Sequence, residues 1–141
     1  MKSCLALFER LILFLCGGGV YCLVEILWRG RTHWTMALLG GLCFVLIGEL
    51  NEHIPWETPL WKQGLIGSCI VTSLEFVFGL VLNVYLNLGV WDYSNLPLNI
   101  MGQISILFSF LWIFVSIGAI ILDDYLRYWW FHEDRPKYKI I

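Results

Sequence analysis

The chain has 141 residues, of which 59% are hydrophobic and only 14% are charged. A soluble domain of this length would carry about a quarter charged residues, so the composition indicates a surface that faces lipid. The formal net charge of −2 argues against a nucleic-acid partner, because phosphate binding needs a clustered basic surface. The five cysteines fall in or beside apolar runs, and we interpret them as small hydrophobic residues rather than as disulfide partners.

Four apolar runs are long enough to cross a bilayer, which takes about 20 mainly apolar residues. The first run follows a basic start, as in a signal peptide, but no small-residue cleavage site follows it, so we expect a mature helix. The sequence therefore predicts a single-domain, all-α membrane protein with four transmembrane helices in a compact bundle. We predict spans at about 11–28, 34–50, 64–88 and 100–122, followed by a short basic tail at 125–141.

The distribution of lysine and arginine predicts the orientation of the bundle. Four spans place both termini and the middle loop on one side of the membrane. Of the nine basic residues, only Arg29 and Arg31 fall on the opposite side, which leaves seven with the termini. Because cytoplasmic loops carry the excess of positive charge, we expect both termini in the cytoplasm.

Each predicted span carries a stripe of small or polar residues at helical spacing. Small residues let helices approach closely, and polar ones can bond across the contact. We therefore expect the stripes to face inward, and packing alone suffices to explain their glycines and serines. On the third span the stripe includes Gly64, Ser68, Thr72, Glu75, Gly79 and Asn83.

Packing alone does not explain Glu75. On a helical rise of about 1.5 Å per residue it lies about 17 Å into the third span, near the bilayer centre. A carboxylate there is costly unless it is paired, solvated or protonated. Glu25 is expected at similar depth and has Arg29 one turn on, at ion-pair spacing. Since Glu75 lacks a local partner, Arg29, Asn83, a cation or a proton must satisfy it, and we predict an intramembrane polar site of Glu25, Arg29, Glu75 and Asn83.

Two loops on the predicted outer side carry a second group of polar and aromatic residues. They could form a ligand gate above the glutamates. They could equally form an interfacial collar of aromatic anchors with a salt bridge between Asp92 and an arginine. The candidate gate or collar residues are Arg31, His33, Trp34, Trp91, Asp92 and Tyr93.

On the predicted inner side, Glu49, Asn51 and Glu52 suggest an acidic patch. Glu52 precedes His53 directly and lacks the i,i+4 spacing of a helical metal pair, so we expect no metal site there. No cofactor is indicated elsewhere in the chain.

Five short motifs stand between about residues 17 and 127. They are Glu25-x3-Arg29-Gly30, Asn51-Glu52, Glu75-Phe76, Trp91-Asp92-Tyr93-Ser94 and Asn99-x2-Gly102-Gln103. Together they resemble the CmpB-like family of type IV ABC transporter membrane proteins, in its short bacterial form. Residues 35–41 of this chain depart from the longer members, because they read Thr-Met-Ala-Leu-Leu-Gly-Gly in place of a Gly-Pro and Pro-Ile-Tyr-Gly stretch. The resemblance implies a permease-like protein of the bacterial plasma membrane and names no substrate.

Three classes of function stay open. The first is a permease-like transport component, and the second is a non-transport membrane protein such as an assembly factor, sensor or holin-like element. The third, an intramembrane enzyme, lacks a recognisable nucleophile–base pair or metal motif, so we expect no enzymatic activity. The chain has no G-x4-G-K-[ST] motif, so any ATPase would be a separate protein. Four helices form a narrow bundle, and we expect a homo-oligomer or a partner membrane subunit in the bilayer.

The charge distribution predicts the accessibility of single cysteines. In a variant without native cysteines, Ser94→Cys should react in intact cells with a thiol reagent that cannot cross the membrane. A cysteine at Lys139 should stay unlabelled until the cells are opened. Labelling at position 139 in intact cells would reverse the predicted orientation.

Overall fold

A computed structural model describes all 141 residues of the chain. Its main elements are five α-helices, one π-helical segment and one short β-hairpin. They are α1 (Lys2–Arg29), α2 (Trp34–Gly48), α3 (Leu50–His53), α4 (Leu60–Gly79) with the π-helical segment (Leu80–Tyr85), β1 (Asn99–Ile100), β2 (Ile104–Ser105) and α5 (Ile106–Phe131).

Four stretches of helix are long and apolar enough to cross a membrane, as the sequence predicts. They differ from the expected bounds mainly at the ends. The first begins at Lys2, and the last begins at Ile106 because residues 99–105 form the β-hairpin instead. The last also continues to Phe131, so residues 125–131 of the expected tail are helical. The four stretches are Lys2–Arg29, Trp34–His53, Leu60–Tyr85 and Ile106–Phe131.

Glycines bring α1 and α2 into close contact. A Cβ on Gly18 of α1 would lie 2.5 Å from the carbonyl oxygen of Ala37, and a Cβ on Gly40 of α2 would lie 2.6 Å from the Cβ of Tyr21. Both distances are too short for real atoms, so each helix needs glycine to accommodate the other. This is the close approach of small residues that the stripes predict.

The contact between α4 and α5 combines small residues with hydroxyl groups. A Cβ on Gly67 would lie 2.6 Å from the Cβ of Ser116. Ser68 donates a hydrogen bond of 2.5 Å to the carbonyl oxygen of Ser109, and the hydroxyls of Thr72 and Ser109 lie 2.9 Å apart. The predicted inward stripe of the third span therefore packs on the fourth.

The second helix joins these two pairs into one bundle. It packs along α1 on one side and contacts both α4 and α5 on the other. Its buried side chains Met36, Leu39 and Ile47 belong to the main apolar core, together with Val71 of α4 and Ile120 of α5. By contrast, α1 hardly contacts α5, which leaves space between these two helices.

Two groups of contacts lie at opposite ends of the bundle. We call the end with residues 30–33 and 86–105 the loop side, and the end with both termini the terminal side. On the terminal side the C-terminal tail folds back onto the bundle. The backbone N–H of Leu60 donates to the carbonyl oxygen of Lys139 at 2.7 Å, and the hydroxyl of Tyr138 donates to Asp124 at 2.7 Å. These bonds attach the tail to the start of α4 and to the last turns of α5.

The α1–α2 contact makes a prediction about two neighbouring glycines. Gly18→Ala should lower the melting temperature of the purified protein, because the new methyl group collides with the backbone of Ala37, which cannot move independently of α2. Gly19→Ala is the control, since a Cβ there meets nothing within 4 Å, and it should leave stability unchanged or raise it slightly. Equal melting temperatures for the two variants would contradict the close contact.

Candidate functional site

Hydrogen bonds within the loop between the π-helical segment and α5 hold it in a fixed shape. The indole N–H of Trp91 donates to the carbonyl oxygen of Gln103 at 3.0 Å. The backbone N–H of Tyr93 donates to the carbonyl oxygen of Gly102 at 2.7 Å. Gly102 has φ +73°, and a Cβ there would lie 2.5 Å from the hydroxyl of Ser94. Both its conformation and its close neighbour therefore require glycine.

Asp92 belongs to this loop turn and not to a salt bridge. Its carboxylate accepts hydrogen bonds from the hydroxyl and from the backbone N–H of Ser94, the latter at 2.9 Å. These two bonds lower the pKa of Asp92 below its ordinary value. The salt bridge between Asp92 and an arginine, which belonged to the collar alternative, is absent, because the side chain is bonded within its own turn.

The shape of the loop places Tyr93 over Glu75. Glu75 is 3% exposed, and its Oε1 accepts from the Tyr93 hydroxyl at 2.7 Å. Its Oε2 accepts from the indole N–H of Trp112 on α5 at 3.1 Å. Burial and the adjacent Glu75 raise the pKa of Tyr93, so its hydroxyl stays protonated and able to donate. The partners of Glu75 are thus neutral donors, and neither Arg29 nor Asn83 bonds to it as the sequence suggested.

Glu25 and Arg29 form the expected ion pair, with 2.9 Å between Oε1 and Nη2. The other oxygen of Glu25 accepts from the hydroxyl of Thr32 at 2.8 Å, and Arg29 donates through Nη1 to the carbonyl oxygen of Val90 at 3.3 Å. Because α1 ends at Arg29, Glu25 lies about 6 Å from the end of the helix, closer to the interface than expected. The buried Nε of Arg29 has no partner.

Asn83 lies in the π-helical segment and bonds to the loop rather than to Glu75. Its Nδ2 donates to Oε1 of Gln103 at 2.8 Å, and its Oδ1 accepts from the backbone N–H of Val90 at 2.7 Å. Gln103 in turn packs on Gly79, where a Cβ would lie 2.6 Å from its Oε1. Asn83 therefore contributes to the site indirectly, by fixing both ends of the segment that carries Tyr93.

A cavity of about 630 Å³ lies among α1, α2, α4 and α5. Its lining near the loop side includes Glu25, Arg29 and Glu75. Its lining toward the terminal side is apolar and includes Phe44 and Leu122. The structure thus brings three of the four predicted polar-site residues to the wall of one cavity.

The candidate gate or collar residues separate into two groups. Trp91 and Tyr93 line the cavity. Arg31, His33 and Trp34 do not: Arg31 is exposed, and His33 caps α2 by accepting from the backbone N–H of Thr35 at 3.3 Å. His33 thus anchors the start of α2, whereas Trp91 and Tyr93 of the longer loop contribute to the candidate site.

The predicted acidic patch is a mixed-charge cluster. Glu49 pairs with Arg10 at 2.9 Å and with Arg127 at 3.6 Å, and Asn51 donates to Asp124 at 2.5 Å. Only Glu52 is exposed and unbonded among the three predicted residues. The basic partners come from the first and last helices, so spacing within residues 49–52 could not reveal them.

Asp123 and Arg127 are a buried pair that the sequence analysis did not identify as a site. Their atoms Oδ2 and Nε lie 2.8 Å apart, and Asp123 is 0% exposed. The signal was present in the i,i+4 spacing of an acid and a base on one helix. No group of three or more His, Cys, Asp or Glu side chains is placed to hold a metal ion.

Four helices long and apolar enough to span a membrane, packed around a cavity with a buried carboxylate on its wall, define an α-helical, multi-pass membrane protein. The chain belongs to the family described as "Putative ABC-transporter type IV" (CmpB-like), whose sequence profile matches residues 19–132. No solved structure matches the fold.

The bond between Tyr93 and Glu75 predicts a coupled loss of stability. Tyr93→Phe should lower the unfolding free energy by about 1–3 kcal/mol, because a buried carboxylate oxygen loses its donor. In the Glu75→Gln background the same change should cost less, since a neutral amide needs the donor less. Thermal unfolding in detergent is measured for the wild type, Tyr93→Phe, Glu75→Gln and the double variant. Tyr128→Phe on the surface of α5 is the control. An equal loss in both backgrounds would show that the tyrosine stabilises the fold by other means.

Proposed function

We propose that this protein is a permease-like transport component of the bacterial plasma membrane, with Glu75 at its substrate or coupling site. The observation that carries the proposal is a buried carboxylate, bonded only to neutral donors, on the wall of a cavity inside the membrane-spanning bundle. Ionisable groups inside membrane spans are costly, and they commonly mark the path of a substrate, an ion or a proton.

A comparison within the same chain supports a functional role for Glu75. The buried Asp123 is bonded to Arg127, and Glu25 is bonded to Arg29. Both pairs have the acid and base that a structural ion pair requires. Glu75 and the buried Asp124 both lack a basic residue within salt-bridge distance and accept only from neutral donors. Of the two, only Glu75 lines the cavity, where a proton, a cation or a substrate can supply the balancing charge.

Transport by this chain would need partners. The sequence has no P-loop, and therefore we propose that a separate ATPase supplies the energy. We place its docking site on the terminal side, facing the cytoplasm in accordance with the distribution of basic residues. The bundle itself is narrow, and a second copy or another membrane subunit would complete the conduit.

The proposal predicts that Glu75→Gln separates activity from stability. Removal of a charge whose burial is uncompensated is often neutral or stabilising, so the variant should accumulate in the membrane and melt at the same or a higher temperature. It should nevertheless fail to complement the phenotype of a deletion strain. Asp134→Asn, at an exposed carboxylate of the tail with the same change in charge, should complement fully.

Two results would contradict a functional Glu75. Loss of both abundance and complementation would show a structural residue. Full complementation with normal stability would show a dispensable one. Purification from native membranes provides a second test, because co-purification of an ATPase is expected for a transport component. A soluble regulator in its place would favour a sensor or an assembly factor.

A further inference from the structure

The chemistry of the cavity points to one class of ligand. We propose that it binds an amphiphile with a substituted ammonium head group and an apolar chain, which enters from the bilayer between α1 and α5. This inference rests on the proposed function and specifies the substrate class of the same site. Three independent observations support it: the charge balance, the aromatic surroundings of Glu75, and the shape of the apolar remainder.

The charge balance at the loop side favours a cation. Glu25 and Arg29 neutralise each other at 2.9 Å, so they contribute no net charge. Glu75 remains, and the Trp112 N–H that faces its Oε2 can only donate a hydrogen bond. The site is thus complementary to a single positive charge when the carboxylate is ionised. The unpartnered Nε of Arg29 is the one feature that favours an anion, and the experiment below includes that alternative.

The surroundings of Glu75 favour an organic ammonium over a metal ion. Hard cations such as Ca²⁺ take about six to eight oxygen ligands, whereas this cavity is lined mainly by apolar and aromatic side chains. Tyr93 stacks on Phe108 with ring centroids 4.5 Å apart, and Tyr21 and Trp112 lie 6.2 Å apart. A carboxylate among such rings suits a substituted ammonium, which binds to aromatic faces through cation–π attraction.

The remainder of the cavity fits an apolar chain. Its volume of about 630 Å³ is much larger than an ammonium group requires and is typical of sites for ligands of drug size. Val24 of α1 and Phe114 of α5 line the cavity and are exposed. Since α1 and α5 hardly contact each other, the cavity opens sideways toward lipid, which is where an amphiphile resides.

The binding experiment uses the full chain in nanodiscs of neutral lipid, with empty nanodiscs subtracted. Three probes share a ten-carbon chain: decyltrimethylammonium, decyl sulfate and decanol. Titration calorimetry should show decyltrimethylammonium binding at least about tenfold more tightly than either of the others, equivalent to about 1.4 kcal/mol. Preference for decyl sulfate would assign the site to Arg29 and overturn the proposal. Equal binding of all three would show that the cavity recognises only the apolar chain, and it would also overturn the proposal.

Two pairs of variants locate the binding. Glu75→Gln should weaken decyltrimethylammonium binding about tenfold or more, and Asp134→Asn at an exposed carboxylate of the tail should not. Gly118→Leu should block binding by filling the cavity, because Gly118 lines it and a Cβ there meets nothing within 4 Å. Gly19→Leu adds the same side chain on the outside of α1 and should have no effect. If Glu75→Gln fails to fold, the glycine pair still decides the result.

The outcomes also distinguish this inference from the proposed function. If the cation does not bind while Glu75→Gln still abolishes complementation, the substrate class is wrong and the transport role is unaffected. If the cation binds and depends on both Glu75 and Gly118 while Glu75→Gln complements fully, the site is real and the transport role is wrong. Binding that is unchanged in both variants overturns the inference.

Discussion

The arrangement of the loop side depends on the burial of one carboxylate. Glu75 is enclosed in the spanning layer, where a charge without partners is unfavourable, and its two bonds come from Tyr93 and Trp112. Tyr93 can reach it only because Asn83, Gln103 and the hairpin hold the loop in place. The fold and the candidate site therefore rest on the same hydrogen bonds, and the structure of the loop cannot change without changing the environment of the carboxylate.

The acidic residues of the bundle differ in what balances their charge. Asp123 and Glu49 on the terminal side have arginine partners, and Glu25 on the loop side is paired with Arg29. Asp124 and Glu75 are buried and accept only from neutral donors. Asp124 is bonded to the folded-back tail, whereas Glu75 lines the cavity. Access to the cavity, rather than the lack of an arginine partner alone, therefore marks Glu75 as the candidate functional charge.

The sequence predicted the parts of the structure that follow from local patterns. Hydropathy located the four spans, and the i,i+4 spacing identified the pair Glu25–Arg29. It also placed Glu75 inside the bundle, because a charge in an apolar run has to face inward. The suggested side-chain partners Arg29 and Asn83 were wrong. Tyr93 lies 18 residues after Glu75, and the chain returns to it through a turn with positive φ at Asn87 and Gly89. Hydropathy carries no information on such a return, or on arginines that reach Glu49 from other helices.

The fold-back of the C-terminus has a practical consequence for handling the protein. Lys139 and Tyr138 bond to the start of α4 and to α5, only two or three residues before the last one. Trimming the chain before Tyr138 would remove both bonds and loosen the terminal side, whereas Ile140 and Ile141 are exposed. Met1 is fully exposed and makes no side-chain contact of this kind, so a tag or fluorophore attached there leaves the bundle intact.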